Sequence, residues 1–133
     1  MKYAVIMIPL LLLSSGPAYA EWMAVGGNEE AGVTVYADPG TICRKGNLVK
    51  VWHLNDFKTV QTDASASGPY LSLKGQREYD CAEERDRTLT ATWFSGNMGH
   101  GSLVQFDSDE KKWQPVPPSS INQILWKLAC AKK

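Results

Sequence analysis

Segments in which apolar and polar residues alternate with a period of two constrain this chain more than any other feature of its sequence. The clearest segment spans residues 70–81, where the apolar Leu71, Leu73, Tyr79 and Cys81 occupy odd positions and the polar Ser72, Lys74, Gln76, Glu78 and Asp80 occupy even positions. A second segment, residues 85–94, places apolar residues opposite three threonines. Successive side chains of a strand point to opposite faces. The alternation therefore predicts an antiparallel sheet with one face buried.

Turn residues divide the rest of the chain into further short strands. The additional predicted strands are residues 21–25, 33–37, 48–57 and 103–107. The predicted turns and loops are residues 26–28, 38–40, 45–47, 62–69 and 96–101. With the two alternating segments, the pattern predicts about six strands in one sheet.

A helix is predicted near the C-terminus. Ser120 can cap it and Gln123 lies at the capping-box spacing, while Pro117 and Pro118 exclude an earlier start. Four apolar residues then recur at the helical period, and this stripe is predicted to be buried against the sheet: Ile121, Ile124, Leu125 and Leu128. The predicted fold class is α+β, a single antiparallel sheet with one C-terminal helix packed on it.

The N-terminus has the pattern of a secretory signal. Lys2 precedes an apolar run of residues 4–13, and Ala18 and Ala20 supply small residues before a cleavage point. The run is shorter than the roughly 20 residues that span a bilayer. We therefore expect residues 1–20 to be a signal peptide and residues 21–133 to form a single domain. No cysteine follows the run, so we expect an exported chain without lipid anchor or membrane span, in the periplasm, at the cell surface or secreted.

Three cysteines lie in the exported part, and three cannot all pair within one chain. Cys81 ends a predicted strand and Cys130 lies near the end of the predicted helix, so a bridge between them suits a staple of the helix to the sheet. Such a bridge would stabilise the fold by about 4 kcal/mol. Cys43 is then a free thiol or an intermolecular bridge, and we expect a partly buried free thiol.

Composition and motif spacing argue against several function classes. Lys plus Arg and Asp plus Glu both number 14, and this balance disfavours nucleic acid as a partner. The two histidines, His53 and His100, have no second ligand at metal-binding spacing. The glycine-rich residues 96–101 lack the lysine and following helix of a phosphate-binding loop. We expect a binding module without a cofactor, not an enzyme.

Five tryptophans provide candidate binding surface as well as core volume. We expect Trp52, Trp93 and Trp126 to be buried in full or in part. Trp113 lies between a charged turn and prolines, so we expect it to be more exposed. The candidate partner-binding residues are Trp113 and, in the glycine-rich turn, Asn97, Met98 and His100.

Several motifs together resemble the surface-adhesin protein E family of Gram-negative bacteria. The motifs are residues 46–52, 78–81, 87–101, 113–116 and 120–130. The resemblance covers about residues 33–130. It implies an antiparallel sheet with a C-terminal helix on its concave face, a disulfide between Cys81 and Cys130, and binding of host matrix or serum proteins.

Two functions follow from these observations. The first is an adhesin-type module that binds an extracellular protein or glycan, which the resemblance favours. The second is a periplasmic inhibitor, for example of a lysozyme, or an envelope accessory protein. A loop that protrudes far enough to enter an enzyme cleft would favour the inhibitor, and residues 62–69 and 96–101 are the candidates. The exposed sheet edges and Cys43 are compatible with a monomer or a homodimer.

Overall fold

The computed structural model describes residues 21–132. The predicted signal peptide, residues 1–20, lies outside the described residues. The elements are β1 Met23–Asn28, β2 Val33–Lys45, β3 Leu48–Gln61, β4 Tyr70–Asp80, β5 Arg85–Phe94, β6 Leu103–Asp107, β7 Gln114–Pro115 and α1 Ile121–Ala131, with a short 3₁₀ helix at Asn97–Gly99.

The strands form one antiparallel sheet in the order β1-β2-β3-β4-β5-β6, so each strand pairs with its neighbours in sequence. The short β7 pairs with the start of β5, while β6 pairs with its end. This meander needs only short connections, which suits a chain whose turn residues recur at short intervals. The predicted α+β class, with about six strands and one C-terminal helix, is confirmed.

The helix α1 covers one face of the sheet, which we call the helix-side face; the opposite face is the far face. The core between α1 and the sheet consists of Val35, Ala37, Val49, Val51, Tyr79, Val116, Leu125 and Ala129. The hydroxyl of buried Tyr79 donates to Oδ1 of Asn122 at 2.6 Å. A buried polar group needs such a partner, so this bond fixes the helix over β4.

A disulfide joins Cys81 to Cys130, with a Cα–Cα distance of 5.7 Å. The helix continues through Ala131, so the bridge is made at the flank of an intact helix. The Trp126 Nε1 donates to the backbone oxygen of Asp80 at 3.1 Å and adds a second link beside it. The pairing that the family resemblance implies is confirmed.

Two predicted turns are wrong because sheet pairing continues through them. The residues predicted to end the first strand, Gly26 and Gly27, lie inside β1. A Cβ on Gly27 would approach the Val33 carbonyl oxygen to 2.9 Å, so glycine permits this close pairing. Residues 38–40 lie inside β2, where a bulge around Asp38 shifts the register against β3 instead of reversing the chain.

Two predictions of burial are also wrong. Ile124 of the predicted stripe is 46% exposed, and Ala129 takes its place in the core. The helix surface that packs on the sheet is therefore narrower than the predicted apolar stripe. The Cys43 thiol is free and exposed, not partly buried, because it lies in β2 beyond the bulge and outside the cover of α1.

Candidate functional site

The four candidate partner-binding residues do not form one site. Trp113 lies beside the start of β5, whereas Asn97, Met98 and His100 follow its end. The length of β5 separates the two groups, and at about 3.4 Å per residue this exceeds 20 Å. No single small ligand can contact both.

The glycine-rich turn lies flat on the far face of the sheet. Asn97 Nδ2 and the Met98 backbone N both donate to Oδ1 of Asp56, at 3.1 and 2.7 Å. The Gly99 N donates to Ser72 Oγ at 2.9 Å. Leu54 and Ser72 beneath this turn are buried. The turn thus acts as a cover of a second, smaller core, although Asn97 and His100 remain exposed.

Trp113 is part of a cluster of stacked and paired side chains on the far face. The Arg85 and Arg87 guanidinium groups lie 4.7 and 4.5 Å from its ring centroid. Arg87 also pairs with Glu78 and Glu110. Both arginines already have partners within the protein, because Arg85 pairs with Asp80. The cluster therefore fastens the segment after β6 to the sheet.

A groove opens on the helix-side face next to α1. We define the groove as a depression of about 210 Å³ whose border includes Thr88, Asp107, Asp109 and Lys111. Its floor consists of His53, Leu73, Gly75, Arg77, Ala91 and Trp93. Two further depressions adjoin it, one towards Asn55 and Ile121 and one towards Lys112 and Pro117. Arg77 lines all three. The depressions therefore meet at this one cation.

His53 is a neutral base in the floor of the groove. Burial, together with the nearby Arg77 charge, lowers the pKa of the imidazole to about 3. Its Nδ1 lies 3.2 Å from Oδ1 of Asn55, which assigns the ring proton to Nδ1 and leaves Nε2 as an acceptor. A Cβ on Gly75 would come within 2.7 Å of Nε2, so the ring needs a glycine opposite it.

Arg77 supplies the charge in the floor. One of its terminal nitrogens, Nη1, donates to Asp86, which is only 3% exposed, while the Arg77 side chain is 30% exposed. The buried Asp86 carboxylate needs this partner. Among the described residues, the Nε and Nη2 groups of Arg77 have no hydrogen-bond acceptor. They remain available for an acceptor brought by a ligand.

An ion pair borders the groove on the side away from α1. Lys111 Nζ lies 2.9 Å from Oδ2 of Asp107; this contact raises the pKa of Lys111 and lowers the pKa of Asp107. The Lys111 backbone N donates to the carbonyl of Thr88 at 3.0 Å. Lys111, on the border of the groove, is thus hydrogen-bonded to β5.

The lining of the groove is partly apolar and partly charged. Its lining contains no serine or cysteine nucleophile beside His53. Within residues 21–132, no group of three His, Cys, Asp or Glu side chains is placed to hold a metal ion.

The part of the chain that the structure describes has no helix with the length and apolar character to span a bilayer.

A family model described as surface-adhesin protein E matches residues 22–131. The chain belongs to the surface-adhesin protein E family. No curated protein is similar to it. Solved structures of Haemophilus influenzae protein E share its fold.

Three of these structures illustrate the extent of the similarity. Crystal form II of H. influenzae protein E has a TM-score of 0.64 and 11% identity over 86% of this chain and 91% of that chain. The selenomethionine form has a TM-score of 0.63 and 10% identity over 87% and 90%. The protein from non-typeable H. influenzae has a TM-score of 0.61 and 12% identity over 87% and 79%. The surface-adhesin protein E fold is thus retained at very low identity.

The sequence contains one signal for the groove, a charged residue within the alternating pattern of residues 70–81. Arg77 occupies an odd position of the 70–81 alternation, on the same side as Leu73 and Tyr79. A charged residue at a position that the pattern assigns to the buried face indicates a functional or paired group. His53 lies on the same face of β3, directly opposite Gly75 of β4.

Proposed function

We propose that the chain is an exported binding protein of the cell envelope that attaches the bacterium to an extracellular protein, such as one of the host matrix. The groove carries this proposal: it combines an apolar floor with an arginine, Arg77, that has unused hydrogen-bond donors. Membership of the surface-adhesin protein E family supports attachment as the outcome of binding.

The inhibitor alternative has less support. It needs a loop that can enter an enzyme cleft, and residues 96–101 lie bonded to the far face through Asp56 and Ser72. Residues 62–69 are largely exposed, but Ser67 donates to the Val104 carbonyl and Tyr70 donates to Asp63. Both loops are thus fastened to the body of the protein.

Location tests the proposal before any partner is known. Intact cells of the source bacterium would be treated with protease, fractionated and probed for the mature chain, with a known periplasmic protein as the control. We expect the chain to be degraded while the periplasmic control survives. Confinement of the intact chain to the periplasm would contradict attachment and favour the inhibitor or accessory role.

Binding is tested next with non-adherent cells that display the chain. We expect these cells to bind immobilised matrix proteins more than cells that carry the empty vector. Equal binding by both would contradict the proposal even if the chain reaches the surface.

A further inference from the structure

We propose that the groove binds an extended peptide segment of the partner protein in which an apolar or aromatic side chain lies next to an Asp or Glu side chain. The assignment of the peptide to a partner protein rests on the proposed function. The chemistry of the recognised peptide is inferred from the groove alone, from its size, its charge and its shape.

The size of the groove fits one side chain. Pockets that enclose drug-sized molecules have volumes of about 300–1,000 Å³, and the groove, at about 210 Å³, is smaller. Its floor beside Arg77 is formed by Leu73, Ala91 and Trp93. An apolar or aromatic side chain that enters this space is removed from water, which is the main source of its binding free energy.

Four charged side chains line the groove, namely Arg77, Lys111, Asp107 and Asp109, and Lys111 is paired with Asp107. The unused donors of Arg77 therefore require an acceptor beside the inserted side chain. Arg77 keeps the free Nε and Nη2 donors, while its Asp86 partner is already engaged. The adjacent His53 is neutral, so it neither repels an anion nor competes for one. A guanidinium group with two free donors fits a carboxylate better than any other common side-chain group. An Asp or Glu next to the inserted side chain meets this requirement.

The shape of the groove favours an extended chain over a compact molecule. The depressions on either side of Arg77 run from Ile121 and Asn122 of α1 to Lys112 and Pro117 after β6. Lys111 and Thr88 line both the groove and the second of these depressions. A peptide can therefore place neighbouring side chains in neighbouring depressions, and Arg77 lies between them.

The test uses the probe peptide acetyl-Gly-Phe-Glu-Gly-amide with the mature chain. Two-dimensional NMR spectra would follow the backbone amides of β4 and β5 and the indole N–H of Trp93. We expect the peptide to shift only the NMR signals of residues that line the groove. Peptides with Gln in place of Glu, or Ala in place of Phe, should each bind about tenfold more weakly, the loss of one charged hydrogen bond or one apolar contact.

Variants test the location of the site. Ala91→Leu fills the groove, whereas Thr92→Leu, its neighbour in β5, places the same side chain on the far face and is the matched control. We expect Ala91→Leu to abolish the shifts and Thr92→Leu to retain them. Thermal unfolding of both variants checks that each is folded.

A paired variant tests the charge. Arg77→Gln alone would leave buried Asp86 without a partner, so Arg77→Gln is combined with Asp86→Asn. We expect this double variant to bind the Glu and Gln peptides equally. Retained preference for Glu would overturn the role of Arg77.

Failure of the inference and failure of the proposed function give different results. Suppose that the peptide shifts the groove signals but cells that display the chain bind matrix proteins no better than empty-vector cells. This result would support the inference and contradict the proposed function. Adherent cells whose binding Ala91→Leu leaves unchanged, with no peptide shifts in the groove, would overturn the inference and leave the proposed function standing.

Discussion

His53 illustrates how strongly one buried residue depends on its surroundings. Its ring is 4% exposed and hydrogen-bonds to Asn55, and it faces the Arg77 charge across the sheet. All of these groups except Asn55 disfavour a second proton on the ring. Between about pH 3 and pH 6.5, His53 is therefore neutral in the native protein and protonated in the unfolded chain.

This difference predicts acid sensitivity. Because the native pKa is about 3 and the unfolded value is 6.5, the unfolded chain binds one more proton between these values, and stability falls as the pH falls below 6.5. From pH 7 to pH 5 the loss attributable to His53 is about 2 kcal/mol. Urea unfolding at both pH values would measure it, with His53→Gln as the comparison. An equal loss in parent and variant would contradict the prediction.

Cys43 is predicted to react as a free surface thiol. Its side chain is exposed and lies outside the disulfide. A thiol reagent should therefore label one cysteine per native chain without denaturant, and Cys43→Ser should abolish the labelling. Covalent dimers on a non-reducing gel, with no labelling, would instead indicate an intermolecular bridge.

At the scale of elements, the helix depends on links at both of its ends. Ser120 caps α1 by accepting a hydrogen bond from the Gln123 N at 3.0 Å. The Cys81–Cys130 bridge links its last turn to the end of β4. An 11-residue helix is marginal alone in water, so its stability comes from these links and from packing on the sheet.

Removal of the bridge is predicted to cost about 4 kcal/mol, because the unfolded chain regains the freedom of a loop that the disulfide closes over a sequence separation of 49. Urea unfolding of the Cys81→Ser, Cys130→Ser double variant would measure the loss. Both proteins would carry Cys43→Ser to prevent thiol exchange. A loss below about 1 kcal/mol would show that packing alone retains the helix.

At the scale of the whole molecule, the sheet presents two unlike faces. The helix-side face contains the groove, whereas the far face contains the turn at residues 96–101 and the Trp113 cluster. The segment after β6 contributes to both, because Lys112 and Gln114 line a depression on the helix side while Trp113 between them stacks on Arg85 and Arg87.

Lys111 stays attached to β5 through the Thr88 carbonyl without Trp113, so the groove is predicted to keep its affinity when the far-face cluster is lost. Trp113→Ala removes two cation–π contacts and should lower the free energy of unfolding by about 1–2 kcal/mol. It should leave the affinity for the probe peptide unchanged within about twofold. Urea unfolding and the NMR titration would measure the two effects. A much larger fall in peptide affinity would place the binding surface around Trp113 instead of the groove.

Much of the architecture was predictable, and the errors have identifiable causes. The alternation in residues 70–81 and 85–94 and the cap at Ser120 are local signals, so strands and helix were found. Gly26 and Gly27 predict a turn from sequence, yet glycine is common both in turns and where strands approach closely. Only the pairing partner distinguishes the two, and β2 supplies it.

The sequence by itself determined which residues share a face, where the helix begins and that the protein is an α+β domain of the surface-adhesin protein E type. The tertiary structure decided what covers each face. It buried His53, left Cys43 exposed, laid residues 96–101 over Leu54, and joined Arg77 to the depressions around it. The physical reason is that periodicity is a local property of the chain, whereas burial depends on which distant segments pack above each side chain.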